Sequence, residues 1–218
     1  MARLFLVVLG KQGAGKGTQC ERLASRHGVV HVSTGDILRA AVQADSPLGR
    51  DVAAVLEAGE LVSDDLVNRL VAERLAQPDA VRGALFDGYP RTLDQARSLD
   101  SQLGDDGVKA CINLDIPTAL VSERLSSRRV CEGCGATYTA TDPDALAALC
   151  HACGGRVVQR ADDQPEAIAA RLAAYERDTA PLLDYYAARG LLVRVDGAGT
   201  PDEVTAALEA VLAERGLE

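Results

Sequence analysis

The stretch Gly10-Lys11-Gln12-Gly13-Ala14-Gly15-Lys16-Gly17-Thr18 follows the apolar run Leu4–Leu9 and precedes a helical pattern that begins near Lys16. Glycines let a backbone turn tightly and point several N–H groups into one concavity. The following helix directs the positive end of its dipole at the same place, and Lys16 adds a charge suited to the outer phosphates of a nucleotide. The stretch therefore predicts a phosphate-binding loop between a strand and a helix. The alternative is a glycine-rich turn that binds nothing.

Composition limits the class of protein. The chain has 218 residues and a formal net charge of −9, with Lys and Arg scattered among the acids, so a nucleic-acid partner is not expected. No signal peptide and no apolar run of membrane-spanning length are visible. Six cysteines are too few for a disulfide scaffold. We therefore expect a soluble cytoplasmic protein without a membrane partner.

Apolar β-type runs alternate with helical patterns along most of the chain. The predicted strands are Leu4–Leu9, Val29–Ser33, Ala84–Asp87, Lys109–Ile116 and Leu191–Val195. The predicted helices include Lys16–His27, Leu48–Ala58, Asp64–Ala76, Leu93–Leu103, Pro117–Arg129, a segment from Pro165 that Pro181 should bend or split, and Pro201–Arg215. This alternation predicts an α/β fold with a five-stranded parallel sheet wrapped by helices. Ligands of such sheets bind beyond the carboxyl ends of the strands.

Charged residues gather near these predicted strand ends. Asp87 ends a buried strand, where an acid in a phosphate-loop protein serves Mg²⁺ directly or through water; the alternative is an aspartate that caps a helix or turn. Arg124 and Arg128 are four residues apart and are expected on one helical face. Further arginines are Arg39, Arg91, Arg160 and Arg171. Phosphoryl transfer needs such positive charge around the moving group.

Residues 130–160 differ from the rest because they are rich in cysteine, glycine and short β-type runs. Cys131 and Cys134 form one CxxC pair, and Cys150 and Cys153 form a second after fifteen intervening residues. This spacing is typical of a zinc ribbon, and four thiolates leave no open position for catalysis. The alternatives are two disulfides or free thiols, and His151 is a further candidate ligand. Cys20 and Cys111 are expected to be small core residues.

Five motifs in this order resemble the adenylate kinase family, in its long form with a zinc-bearing lid. They are Gly13–Thr18, Ser33–Arg39, Asp87–Thr92, Arg128-Arg129 and Asp162-Asp163. The resemblance covers essentially the whole chain. It implies a monomeric enzyme that reversibly transfers the γ-phosphoryl group of MgATP to AMP, giving two ADP, with a structural Zn²⁺. It also implies a P-loop core of residues 1–32, 63–126 and 164–218, a helical AMP-binding insertion of residues 33–62, and a zinc-ribbon-like β lid of residues 127–163.

The resemblance also assigns roles residue by residue. It implies that ATP contacts Gly13, Ala14, Gly15, Lys16, Gly17, Thr18, Arg124, Arg128, Thr137, Tyr138 and Gly199. It implies that AMP contacts Thr34, Arg39, Glu60, Leu61, Val62, Gly88, Tyr89, Pro90, Arg91, Gln95, Arg160 and Arg171. Lys16, Arg91, Arg128, Arg160 and Arg171 would neutralise the moving phosphoryl group, Gln95 would read the adenine edge, and Asp87 would hold water on Mg²⁺.

Two other functions fit parts of the sequence. A kinase for GMP, UMP or CMP would share every motif, although Gln95 and Thr34 favour AMP. A nucleotide-binding or zinc-ribbon protein without turnover is favoured only by Lys11-Gln12, where the family usually has Ala-Pro. An extra cation beside the loop would either tighten ATP binding or hinder product release.

Overall fold

The computed structural model describes residues 3–217, which form two sheets and a set of surrounding helices. The strands are β1 (Leu4–Leu9), β2 (Val30–Ser33), β3 (Gly83–Asp87), β4 (Ala110–Asp115), β5 (Arg128–Cys131), β6 (Thr137–Thr139), β7 (Val157–Val158) and β8 (Leu192–Asp196). The helices are α1 (Lys16–His27), α2 (Thr34–Gln43), α3 (Pro47–Glu57), α4 (Asp64–Leu75), α5 (Leu93–Leu103), α6 (Thr118–Ser127), α7 (Pro143–Ala147), α8 (Pro165–Ala174), α9 (Pro181–Ala187) and α10 (Pro201–Glu214).

The larger sheet has five parallel strands in the order β2-β3-β1-β4-β8, so the predicted α/β fold is confirmed. β1 lies at its centre and is buried on both faces. Leu6 and Val8 pack on one face with residues of α1, α6 and α10, whereas Phe5 and Val7 pack on the other with residues of α4, α5 and α9. Side chains of this size contribute roughly 1.5–3 kcal/mol each when fully buried. The parallel direction brings all five carboxyl ends to one edge.

One helix ends two residues earlier than predicted, so that Arg128 lies in a strand and not in the helix. The helix expected over Pro117–Arg129 runs only from Thr118 to Ser127. Arg128 has extended backbone and begins β5, where it pairs with Thr139 of β6. The prediction that Arg124 and Arg128 share a helical face is therefore wrong, because strand pairing replaces the last turn of the helix.

The helical segment from Pro165 is interrupted before Pro181, as predicted. α8 ends at Ala174, a π-helical turn occupies Tyr175–Thr179, and α9 begins at Pro181. A proline ring obstructs the carbonyl four residues earlier and provides no N–H. The backbone therefore forms the wider π-helical turn, in which the Ala180 amide donates to the Tyr175 carbonyl at 2.8 Å.

The smaller sheet is antiparallel in the order β6-β5-β7, and Cys131, Cys150 and Val157 form its core. It lies within residues 128–158.

In residues 33–62, α2 and α3 pack closely: a Cβ atom on Gly49 would stand 2.1 Å from the Ala41 carbonyl oxygen. Over residues 3–217, no helix combines the length and apolarity that a bilayer crossing requires.

Candidate active site

The phosphate loop joins β1 to α1 and leaves the start of that helix open. Gly15 precedes α1 in the left-handed region with φ of 89°, which favours glycine. The first turn carries no acid, and Gly15 before it has no side chain that could cap its amides. The free N–H groups and the helix dipole therefore form a site suited to an anion.

Lys16 lies across this loop. Its Nζ donates to the carbonyls of Gly10 at 2.8 Å and Lys11 at 2.9 Å. Burial lowers the pKa of Lys16, the charge of Asp87 opposes this shift, and the charges of Arg91 and Arg171 add to it, so that the pKa is about 8. A phosphate beside the ammonium group would favour its charged form.

The unusual Lys11 side chain contacts α6 and the π-helical turn. Its Nζ donates to Thr118 Oγ1 at 2.9 Å and lies 3.4 Å from the Glu176 carboxylate in the π-helical turn. The extra cation is thus engaged with α6 and with that turn. In residues 3–217, the neighbouring Gln12 Oε1 is buried without a hydrogen-bond partner, and nothing in the structure explains it.

The ends of β2 and β3 meet at Gly88. The Gly88 carbonyl accepts from Thr34 Oγ1 at 2.9 Å and from Arg91 Nε at 2.8 Å. Gly88 has φ of +71°, a backbone conformation that favours glycine, and a Cβ atom there would stand 2.8 Å from Arg91 Nη2. The Tyr89 side chain is completely buried and donates to Asn68 Oδ1, so only its backbone lies near the strand ends.

Gln95 is fixed by a network that the sequence did not reveal. Its Oε1 accepts from the Arg91 amide at 2.7 Å, and its Nε2 donates to Asp64 Oδ1 at 2.7 Å. Asp64 Oδ2 also accepts from Thr92 Oγ1 at 2.6 Å. Asp64 was predicted only as part of a helix start, and Ser63 makes no capping hydrogen bond. The only sequence signal for this role was an acid at the start of a predicted helix, two residues after Val62.

A cleft beside this network gathers most of the predicted AMP residues. Its walls also include apolar Leu38, Leu56 and Val67. The predicted AMP residues in its lining are Thr34, Arg39, Glu60, Leu61, Val62, Gly88, Arg91, Gln95 and Arg171. Tyr89, Pro90 and Arg160 do not line it. The cleft thus combines apolar walls with amide and guanidinium groups.

Two neighbouring aspartates hold three of the predicted arginines. Asp163 has no exposed side-chain surface and accepts from Arg128 Nε at 2.7 Å and Arg171 Nη1 at 3.2 Å. Asp162 accepts from Arg160 Nε at 2.8 Å and lies 3.2 Å from Arg171. Burial alone would raise the pKa of Asp162, but the hydrogen bond from Arg160 and the nearby positive charges lower it to about 2. The arrangement links β5 to α8.

Arg39, the remaining arginine on α2, pairs with Asp36 one turn earlier. Burial lowers its pKa, and the charge of Arg160 lowers it further, so these two guanidinium groups lie close enough to repel each other. Such a concentration of positive charge suits a polyanion.

Arg124 holds backbone around the phosphate loop. Its guanidinium group donates to the carbonyls of Gly13 at 3.3 Å, Gly197 at 2.9 Å and Ala198 at 3.0 Å. These contacts connect α6, the phosphate loop and the segment after β8. Gly199 is exposed beside this segment.

The four predicted metal-ligating cysteines come together as two knuckles. The Sγ atoms of Cys131 and Cys153 are 3.4 Å apart, those of Cys134 and Cys150 are 3.6 Å apart, and all four lie within 4.8 Å of one another. These distances exceed a disulfide bond and approach the roughly 3.8 Å expected for sulfurs that share one tetrahedral ion. The thiols thus fit a closed four-sulfur site.

Nearby groups support this four-cysteine site. Tyr138 on β6 places its hydroxyl 3.1 Å from Cys150 Sγ, and this contact is the largest of the causes that together lower the pKa of Cys150 to about 6. The Gly133 amide donates to Cys131 Sγ at 3.3 Å. His151 is exposed and its Nδ1 lies 2.6 Å from Asp144, so its ring is engaged outside the cluster. Thr137 is exposed at the start of β6.

Comparison with known proteins agrees with this geometry. A family model described as adenylate kinase matches residues 8–191. The chain is 47% identical over 216 residues to the adenylate kinase of Symbiobacterium thermophilum, covering 97% of this chain and 100% of that protein. It is 44% identical over 210 residues to that of Carboxydothermus hydrogenoformans, covering 95% and 98%. It is 46% identical over 214 residues to that of Novosphingobium aromaticivorans, covering 96% and 99%.

These relatives are matched over nearly their whole length. The span matched by the family model contains the phosphate loop, the Gln95 network, the arginines that pair with Asp162 and Asp163, and the four cysteines. The chain belongs to the adenylate kinase family.

Proposed function

We propose that this chain reversibly transfers the γ-phosphoryl group of MgATP to AMP and so produces two ADP. One observation carries the proposal. The phosphate loop with Lys16 and the cleft with Arg91 and Gln95 lie at the same edge of one parallel sheet. Two nucleotides bound there would bring their phosphates together, and the printed names of the relatives agree.

The chain's own groups would act by positioning and by charge neutralisation. The AMP phosphate is itself a nucleophile, so no covalent enzyme intermediate is needed. Lys16, Arg91, Arg128, Arg160 and Arg171 would surround the equatorial oxygens of the moving group. Guanidinium groups suit this task because they donate two parallel hydrogen bonds.

The predicted ATP contacts extend this arrangement. We propose that the loop from Gly13 to Thr18 binds the phosphates, with Arg124 holding the loop and with Thr137, Tyr138 and Gly199 beside the nucleotide. Residues 127–163 would close as a lid and exclude water, which competes with AMP as the acceptor. Residues 33–62 would form the wall over AMP.

The residues present fit a magnesium ion that arrives with ATP. Asp87 ends β3, and its Oδ2 would lie 3.6 Å from a Cβ atom on Gly17 in the first turn of α1. Asp87 would accept hydrogen bonds from water on the ion, and the exposed Thr18 hydroxyl lies in the same turn. Mg²⁺, when bound, neutralises charge on the transferred phosphates.

We further propose that Zn²⁺ occupies the four-cysteine site in a structural role. Four thiolates saturate a tetrahedral ion and leave no position for substrate. The ion would tie β5 to the Cys150–Cys153 knuckle, so the lid would move as one body. The cytoplasmic location and the monomeric state stay predictions, and light scattering during size-exclusion chromatography tests the second.

The function is tested by supplying ATP with AMP, GMP, UMP or CMP, with and without Mg²⁺. The expected result is fast Mg²⁺-dependent formation of ADP with AMP alone. Turnover with another monophosphate would contradict the assignment of AMP as the specific substrate. Binding of ATP without any turnover would overturn the enzymatic proposal.

A further inference from the structure

Three residues of different chemistry meet beneath the phosphate loop. They are Cys20 on α1, His31 on β2 and Asp87 at the end of β3, and one ligand atom from each lies within 4.8 Å of the others. Cys20 is completely buried, whereas the side chains of His31 and Asp87 are 18% and 13% exposed. The sequence suggested only that Cys20 is a core residue.

His31 supplies a ring nitrogen without a hydrogen-bond partner in the described residues. Its Nε2 is buried and has no hydrogen bond within residues 3–217. It lies 3.6 Å from Asp87 Oδ2, which is too long for a hydrogen bond. Two ligands at about 2.0–2.2 Å from one tetrahedral ion are roughly 3.4 Å apart, so this separation is close to that of a shared ion. The Sγ pairs of the four-cysteine site have similar separations, 3.4 and 3.6 Å.

The donor set selects the class of ion. A thiolate, an imidazole and a carboxylate suit Zn²⁺ and Co²⁺, whereas Mg²⁺ and Ca²⁺ prefer oxygen ligands. The thiolate and the carboxylate together carry two negative charges and balance a divalent ion. Three protein ligands leave a fourth position open, and the exposed edges of His31 and Asp87 give access to it.

We propose that Cys20, His31 and Asp87 form a second site for a divalent ion of the Zn²⁺ type, separate from the four-cysteine site. Binding would release the proton of the Cys20 thiol to solvent and would engage the Asp87 carboxylate. Because the proposed function needs that carboxylate for the water shell of Mg²⁺, occupation of the site inhibits phosphoryl transfer. This inhibitory consequence rests on the proposed function, whereas the binding site does not.

Cobalt absorption tests the site directly. The full chain, with zinc loaded at the four-cysteine site, is titrated with CoCl₂ while the thiolate-to-cobalt charge-transfer band is followed. Cys20→Ala removes the proposed sulfur ligand. Cys111→Ala is the control, because Cys111 is equally buried and lies on β4 outside the cluster. We expect one equivalent of cobalt to give the band in the wild type and in Cys111→Ala, and no such band in Cys20→Ala.

His31→Gln provides a second variant if Cys20→Ala does not fold. Loss of an outer hydrogen bond typically weakens metal binding about 10–100-fold, so loss of a ligand should weaken cobalt binding by at least about tenfold. Equal bands in the wild type and Cys20→Ala would show that cobalt only exchanges into the four-cysteine site, and they would overturn the proposal. Absence of the band in the wild type would overturn it as well.

Inhibition is measured separately from binding. Added Zn²⁺ at saturating MgATP should slow ADP formation in the wild type and in Cys111→Ala but not in Cys20→Ala. Equal inhibition of all three would overturn the inhibitory role. If no variant forms ADP but the cobalt band still depends on Cys20, the proposed function fails and the second site stands.

Discussion

Asp163→Asn removes a negative charge that two arginines share in the interior. The Asp163 side chain is fully buried, and it accepts from Arg128 at 2.7 Å and Arg171 at 3.2 Å. An asparagine has nearly the same shape, but its amide would place a donor against a guanidinium donor. Removing one partner of a buried pair costs about 3–5 kcal/mol. Because Arg171 keeps Asp162 as a partner, we expect the lower end, about 3 kcal/mol.

This loss of stability is measurable by melting and by urea unfolding. In a chain of this size, each kcal/mol shifts the melting temperature by about 2–4 °C, so Asp163→Asn should melt about 6–12 °C below the wild type. The chain has five tyrosines and no tryptophan, so circular dichroism is the suitable probe. Asp178→Asn is the control, since it breaks a pair with Arg177, whose side chain is 70% exposed. Equal, small losses of stability in the two variants would show that the buried Asp163 pairs contribute no more than an exposed ion pair.

Further predictions concern charge and metal. The pKa of Asp162 is about 2, below its usual 3.8, so its contribution to stability is complete above about pH 5 and is lost as the pH falls toward 2. In urea titrations, the free energy of unfolding of Asp162→Asn should therefore fall by roughly 2 kcal/mol less than that of the wild type as the pH is lowered to 2. A pH profile equal to that of the wild type would contradict this. The pKa of Lys16 is about 8, so ATP binding at a pH above 8 should be accompanied by uptake of a proton by Lys16. Calorimetry in buffers of different ionisation enthalpy measures this uptake, which should be absent in Lys16→Met. Lys11→Ala should leave the KM for ATP within about twofold because Lys11 pairs elsewhere, and a larger change in steady-state kinetics would show that it binds ATP. Chelation of the four-cysteine metal should lower the melting temperature more than it lowers activity in the cold, whereas unchanged melting would contradict a structural metal.

The sequence was most informative where local chemistry determines local structure. The apolar strands, the glycine loop and the CxxC pairs each follow from short-range rules, and the structure places them within one residue of the predicted positions. Pro181 likewise predicted an interrupted helix, because a proline ring obstructs the preceding turn wherever it occurs.

Long-range contacts could not be predicted in the same way. The sequence does not show that Arg128 pairs with Thr139 in a sheet, so the helix was expected to continue to Arg129. Asp64 and Gln95 are 31 residues apart, and their hydrogen bond depends on how α4 packs on α5. Cys20, His31 and Asp87 come from three separate elements, and only the parallel sheet brings them together.

The proposed reaction is the exchange of a phosphoryl group between two nucleotides at one edge of the sheet. Its most direct test is to supply ADP and Mg²⁺ alone and to separate the products by ion-exchange chromatography. We expect equal amounts of ATP and AMP, with the rate greatly reduced in Arg91→Ala. Release of inorganic phosphate without ATP, or no turnover of ADP, would contradict it.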